Sequence, residues 1–469
     1  MRWISAVFVL VFACVPGTAL AHAFGQRYDL PLPLGFYLTG AGLAVALTFL
    51  GSFVFMRTNR HMKVSVHIPV PAQLVRITDQ FLRALAILVL IVVMATALFG
   101  PLSPTQNFAN IFIWVIWWVG FFLFTALIID IWSHANPFAT IIDAVLGWLS
   151  LRVEGPAPAW TGWLAVLGLI LLSWTEIVSG WSESPRAMAV LIAVYTFGLL
   201  LGSVWMGRRA WFCAADPLTR LFSLLGHLAP LAAQRGGLIL RLPASGMYAR
   251  STDIPGAFFV VTLIAIVLFD GLSETPFWAA ILQWVTESQI LRPGLLALRD
   301  HGVDLLKLIR TIGLVSTILT SWLLYTALCL AMWWAVGRDI ALRAIFAGFA
   351  LSLLPIAVAY HLAHYVFFLA LASQLIVPAA SDPFGLDWAL LGDTPTMIDI
   401  GIMTAEDVWW VSVFALVTGH ALSVFVAHAE AMRLFSSRQQ AIFSQLPMMV
   451  FMVALTSISL WILAQPVVE

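Results

Sequence analysis

The chain reads as a succession of long apolar runs parted by short polar turns. A helix needs about 20 apolar residues to cross the hydrocarbon core of a bilayer. Ten such runs follow the first thirty residues, at 34–56, 83–100, 109–132, 160–179, 187–207, 256–272, 311–335, 344–372, 408–429 and 441–465. The pattern predicts an all-α fold, a polytopic membrane helix bundle with the lipid bilayer as its solvent. Basic residues orient it: with the mature N-terminus outside, sixteen Lys and Arg fall in the inner segments and six in the outer ones, the bias expected when the inner side is the cytoplasm. A bacterial inner membrane with a periplasmic N-terminus is the expected location. The stretch around 285–311 is the weakest boundary and reads as an interfacial amphipathic helix before the seventh span.

Ahead of the first span lies a different pattern. Arg2, the apolar run Ile4–Cys14 and the small residues of Ala19-Leu20-Ala21 compose a secretory signal peptide, 1–21, with cleavage after Ala21. His22 would then open the mature chain. A free amino group and an imidazole on one residue form a compact bidentate ligand suited to copper. An uncleaved anchor is the alternative, and Val11-Phe-Ala-Cys14 is a poor lipobox because Phe12 is bulky. Residues 22–33 form the periplasmic lead-in to the bundle.

Composition agrees with the membrane reading: 62 % of residues are hydrophobic, 10 % are charged, and the net charge is zero. No cationic patch exists to hold a phosphate backbone, so no nucleic-acid partner is expected. With three Cys in the chain, a disulfide framework and a thiolate zinc site are both unsupported. Cys213 reads as a loop thiol and Cys329 as a helix-packing residue.

Turn signals repeat. Gly100-Pro-Leu-Ser-Pro104 has a counterpart 80 residues later in Gly180-Trp-Ser-Glu-Ser-Pro185 and another in Gly271-Leu-Ser-Glu-Thr-Pro276, while Ala135-Asn-Pro-Phe138 is echoed by Ala215-Asp-Pro-Leu218. Duplicated helical hairpins are implied, although Gly, Ser and Asx-Pro also punctuate helices without any chemistry. The expected organisation is an N-terminal bundle over 34–272, a periplasmic or interfacial segment over 273–310, and a C-terminal bundle over 311–469.

Ionisable groups inside spans are costly and point to function. The eighth span carries His361 and His364 in its outer half, an i, i+3 pair on one helix face with metal-sharing spacing. The ninth adds His420 near mid-membrane, with His428 and Glu430 and Arg433 at the inner interface. Glu176 and Asp270 approach the outer face, as general bases, metal ligands, partners of a His, or plain interfacial acids. Asp130 and His134, i, i+4 at the inner end of the third span, read as a helix-end ion pair. A metal set of His22, His361, His364 and His420 would suit Cu or Zn.

Three functions follow: a metalloenzyme activating water or oxygen, a metal- or proton-linked permease, and a haem-bearing or haem-free subunit of a larger complex with a partner subunit. Ala21-His-Ala-Phe-Gly-Gln-Arg-Tyr-Asp-Leu-Pro-Leu-Pro33, His134-Ala-Asn-Pro-Phe138, Ala359-Tyr-His-Leu-Ala-His-Tyr365, Ser381-Asp-Pro-Phe384, Thr418-Gly-His-Ala421 and Ala427-His428 together resemble a bacterial family of multi-pass membrane proteins labelled fenitrothion hydrolase. The resemblance implies hydrolysis of an organophosphate ester, an aryl phosphorothioate. No nucleophile motif or glycine-rich phosphate cradle accompanies it.

Overall fold

The computed structural model describes residues 32–56, 64–151, 153–234, 236–392, 394 and 397–465. The signal segment, His22 and the lead-in up to residue 31 lie outside the described residues. The fold is 75 % helical, and ten helices are long and apolar enough to span a membrane. They are α1 Leu34–Phe55, α2 Ala72–Phe99, α3 Phe108–Leu127, α4 Ala159–Ile177, α5 Pro185–Met206, α6 Ile254–Ser273, α7 Leu305–Ala335, α8 Leu342–Ser381, α9 Ala405–Leu434 and α10 Arg438–Leu463. The chain is an all-α integral membrane protein.

Two helices are far more enclosed than the rest. Within their most apolar windows, 72 % of α6 and 78 % of α8 are buried, against 50 % or less for each of the others. Helix α6 contacts α4, α7 and α8, and α8 lies along α9. The crossing of α8 with α9 is tight because Gly419 has no side chain: a Cβ there would stand 2.3 Å from Ala359 Cβ and 2.8 Å from the Pro355 carbonyl oxygen. Helix α8 is broken by 3₁₀ turns at Ala350–Leu353, just before Pro355, and at Ser373–Leu375, just before Pro378. Proline supplies no N–H to the preceding turn, which accounts for both breaks. Helix α1 packs on α9 and α10, so the two expected bundles share helices across the sequence division at 272–311.

Four of the five repeated turn signals are helix caps, and Gly100-Pro-Leu-Ser-Pro104 is a turn ahead of the Asn107 cap. The side chains of Asn136, Ser184, Asp216 and Thr275 each accept the backbone N–H that starts a helix, with proline next in sequence. The two inner Asx-Pro turns adjoin, Asn136 Nδ2 donating to Thr219 Oγ1 at 3.4 Å. Asp216 is buried beneath its own helix and takes a hydrogen bond from Tyr195; burial pushes its carboxyl above the ordinary range, against the hydrogen bonds of Thr219 and Tyr195.

A three-stranded antiparallel sheet, which the hydrophobic runs gave no hint of, closes one end of the bundle. Strand β1 (Ser65–Pro69) pairs with β3 (Gly237–Arg241), which pairs with β2 (Leu231–Gln234), in the order β1-β3-β2. Strand β1 follows α1 while β2 and β3 follow α5, so the ends of two odd-numbered spans share a face, as alternate crossings require. At the other end, a Cβ on Gly100 would lie 3.0 Å from the Pro383 carbonyl oxygen, joining the exits of α2 and α8 on the opposite face. The interfacial segment resolves into helices Pro276–Glu287 and Arg292–Asp300, the latter with no buried residue, before α7 begins at Leu305 under an Asp304 cap.

One pairing differs from expectation. Helix α3 stops at Leu127, so Asp130 and His134 share no helix; His134 pairs instead with Asp79 of α2 at 2.8 Å, and Asp130 accepts the Ser133 N–H at 3.2 Å.

Candidate functional site

Polar side chains from three helices meet where α4, α6 and α8 approach the face opposite the sheet. Asp270, one turn from the end of α6, is the hub. Its Oδ2 accepts the Tyr365 hydroxyl at 2.5 Å and pairs with His364 Nε2 at 3.0 Å. Two donors on one oxygen are what a carboxylate accommodates. Side chains of His364 and Asp270 are 11 % and 15 % exposed, so the pair is close to fully enclosed. Tyr365 carries the connection outward: its hydroxyl lies 3.4 Å from Glu176 Oε1 at the end of α4.

Helical spacing explains this convergence. On α8, His361, His364 and Tyr365 follow one another at i, i+3 and i+4 and so share a face. The Tyr365 ring touches both imidazoles, with centroids 4.7 Å from His361 and 4.6 Å from His364. Tyr360 lies parallel to His364 at 6.4 Å, and its buried hydroxyl has no partner among the described residues. Gly271 makes the space: a Cβ on it would sit 2.9 Å from the Tyr360 hydroxyl and 3.5 Å from His364 Nδ1.

The middle of α3 is a ten-residue π-helix, Phe112–Phe121. Such wide turns are rare and gather at functional sites. Immediately after it, Phe122 stacks on His361 with centroids 4.0 Å apart, and from within it Trp118 reaches the Glu176 carboxylate. Asn110 and Trp114, on the same helix, hold the Ser182 carbonyl at 2.7 and 3.1 Å, fixing the turn that follows Glu176.

Glu176 also faces outward. It lines a cleft of about 210 Å³ with Ile177, Val178, Ser182, Leu306, Lys307 and Arg310, whose rim carries Glu183 and Asp304. The line cleft, Glu176, Tyr365, Asp270, His364 is therefore continuous.

His420 stands apart. Along the antiparallel α8–α9 contact, Ser412 Oγ donates to the Ala363 carbonyl at 3.2 Å, Gly419 meets Ala359 and Pro355, and Ser423 donates to the Ser352 carbonyl. These contacts set His420 level with Pro355, nine residues or about 13 Å below His364 along the helix. His420 Nδ1 lies 2.8 Å from the Leu416 carbonyl oxygen, which can only accept, so Nδ1 bears the hydrogen and the fully buried Nε2 is a bare lone pair. One ion would need both nitrogens within about 2.1 Å of itself. Among the described residues no three His, Cys, Asp or Glu side chains are grouped to hold a metal. These residues do not fit a shared Cu or Zn site, and His22 lies outside them. His428 closes the sheet-side end of α9, between Gln445 Oε1 at 3.2 Å and the Met56 carbonyl at 3.1 Å, beside the Glu430–Arg433 pair at 2.5 Å.

Of the residues singled out in the sequence, Glu176, Asp270, His361 and His364 converge, and His420 does not join them. Sequence reasoning missed Tyr365, Trp118, Lys307 and Arg310. Tyr365 adjoins His364 in a span, and a phenol there is a polar tip needing a partner; Arg310 precedes the apolar run 311–335 by one residue, so hydropathy places it in a loop.

No protein-family model, no curated protein and no solved structure matches the chain. The fold and site define its class: a multi-pass membrane protein with an enclosed carboxylate, phenol and imidazole cluster opening to one face.

Proposed function

We propose that the chain is a proton-linked permease of the bacterial inner membrane, with the sheet face in the cytoplasm and the cleft in the periplasm. The observation that carries this reading is the unbroken line of proton-exchanging groups from the cleft to the core of α6 and α8. A proton taken by Glu176 passes to the Tyr365 hydroxyl oxygen as that hydroxyl gives its own proton to Asp270, leaving the phenol neutral and one proton further in. The proton comes to rest on Asp270, which the Nε2–H of His364 holds in place at 3.0 Å. Intramembrane acids and histidines of this kind serve proton relays in pumps and transporters, and the sixteen-to-six distribution of basic residues supports the orientation.

The test is infrared difference spectroscopy of the purified full chain titrated between about pH 4 and pH 9, where carboxyl and imidazole groups exchange protons. A protonated-carboxyl band should appear with acid and be lost or shifted in Glu176→Gln and in Asp270→Asn. A spectrum with no such band, or one that both variants leave unchanged, removes the proton-linked reading.

One observation favours the hydrolase that the family resemblance implies. An imidazole oriented by a buried carboxylate, as His364 is by Asp270, is the base half of many hydrolytic sites. Release of the aryl alcohol from a phosphorothioate triester by the wild type, abolished in His364→Gln, would select this second reading; no release from either rejects it.

A further inference from the structure

The cleft beside Glu176 has a composition that the relay does not use. Lys307 and Arg310 stand one turn apart on α7 and line the same wall, facing Glu176 on α4. Of their acidic neighbours, Glu274 at the end of α6 faces both Arg310 and His364, and the others are engaged in other ways. Asp304 caps α7, accepting the Lys307 N–H at 3.1 Å, and pairs with the Lys307 ammonium at 3.6 Å. Glu183 is exposed at the rim, and the Glu176 carboxylate is directed toward Tyr365 and Trp118. Arg310 is left with a buried Nε–H that meets no acceptor among the described residues. That N–H is one prong of the fork by which a guanidinium grips a carboxylate with two parallel hydrogen bonds.

The remaining wall selects among anions. Ile177, Val178 and Leu306 are apolar, and the cleft of about 210 Å³ accommodates a short aliphatic chain. Apolar groups on that wall favour an anion with an aliphatic part over one that is polar throughout. One hydrogen bond joins the walls, Trp174 Nε1 on α4 donating to Thr311 Oγ1 on α7 at 2.9 Å, and Trp174 meets Trp181 edge to face at 6.0 Å.

We infer that this cleft binds a small aliphatic monocarboxylate, its carboxylate on Arg310 with Lys307 adding charge and its short chain against Ile177, Val178 and Leu306. The inference rests on the proton-linked reading only for what binding accomplishes. A second carboxylate arriving beside Glu176 raises the cost of keeping Glu176 ionised, so anion binding favours the proton that the relay carries. Anion and proton would then move together, and the cargo of the permease would be a short-chain organic acid.

The experiment uses radiolabelled butyrate as probe on the detergent-solubilised full chain, read by scintillation proximity, with choline as the oppositely charged probe. Saturable butyrate binding is expected, with choline neither binding nor competing. Arg310→Gln should weaken it about ten- to hundredfold, the weight of a bidentate charged contact. The exposed Lys307→Gln should weaken it less, and Arg299→Gln, on the neighbouring interfacial helix, should leave it unchanged. Lys307→Gln keeps the test decisive if Arg310→Gln fails to fold. Butyrate binding that ignores both cleft substitutions, or choline binding in its place, overturns the inference. If butyrate binds as expected but the infrared carboxyl band is absent, the proton-linked reading falls and the anion site stands; a band without butyrate binding sinks the anion site alone.

Discussion

Replacing Asp270 by alanine tests the hub of the cluster, because the structure states what its removal leaves behind. His364 Nε2 and the Tyr365 hydroxyl both direct their hydrogens at Asp270 Oδ2, at 3.0 and 2.5 Å, inside a pair 11 % and 15 % exposed. Tyr365 has a second acceptor in Glu176 at 3.4 Å, whereas His364 Nε2 has only Asp270 as a hydrogen-bond partner among the described residues. Breaking a buried pair from one side costs about 3–5 kcal/mol. The lower end applies, since Tyr365 can turn to Glu176, giving about 3 kcal/mol, or roughly two orders of magnitude in the folded-to-unfolded ratio. His364→Ala should cost less, because Asp270 keeps Tyr365. Once Asp270 is gone, His364→Ala removes a stranded donor, so the double variant should fall short of the summed single losses by at least about 1 kcal/mol. Unfolding of the four proteins in mixed micelles, followed by tryptophan fluorescence against denaturing detergent, measures the cycle. Losses that add to within about 0.5 kcal/mol would mean that the two residues do not act as a pair.

Gly419→Ala should destabilise the chain by about 1–3 kcal/mol, although alanine is the better helix former, because its Cβ would meet Ala359 Cβ at 2.3 Å and force α8 from α9; wild-type unfolding in the same assay would contradict that close crossing. Asp382→Ala should free the backbone amides of Leu386 and Asp387, now held at 2.8 Å by the Asp382 carboxylate, and speed their hydrogen exchange at neutral pH. Those two N–H groups, Leu386 first, hold the Asp382 carboxyl below its usual range, so in the wild type the contribution is complete above the unfolded-state value near 3.8 and is lost as pH falls through the lower folded value. Protection of the two amides that survives in Asp382→Ala would show that the carboxylate does not organise the loop.

The spans were legible because lipid demands a single, strong signal, about 20 apolar residues with every backbone group paired inside the helix. Their ends were less so. Helix α2 begins at Ala72, eleven residues before the expected start, since Arg76, Asp79 and Arg83 belong to a helical extension into the sheet end that hydropathy does not register. The sheet escaped notice for a related reason: Val64-Ser-Val-His-Ile-Pro-Val70 and the two runs of the hairpin around Gly236-Gly237 are short, and β1 lies some 170 residues from its partner β3. At the site, rarity of charge inside spans found Glu176, Asp270 and His364, but sequence spacing within one helix carries no register between helices. That is why His420 was drawn to the level of His364 when the α8–α9 contacts set it beside Pro355. The motifs behind the family resemblance divide the same way. Asn136, Asp382 and Gly419 hold turns and a crossing, while Tyr360, His361, His364 and Tyr365 line the cluster.

Unequal contact lengths along the relay bear on how such a permease could work. Asp270 is held by short contacts to two residues of α8, and α6 and α8 are the most enclosed helices, so these three groups form one rigid unit. Glu176 belongs to α4, whose window is 39 % buried, and it meets that unit through a single 3.4 Å contact to Tyr365. O–H···O hydrogen bonds ordinarily span about 2.5–3.0 Å, which makes this long contact the one broken at least cost. A small shift of α4 against α6 and α8 would therefore part Glu176 from Tyr365 and leave Asp270 and His364 paired. The same shift would change the cleft, because Glu176 and Arg310 face each other across it. Access of the proton and closure of the cleft would then be a single movement, located at Tyr365.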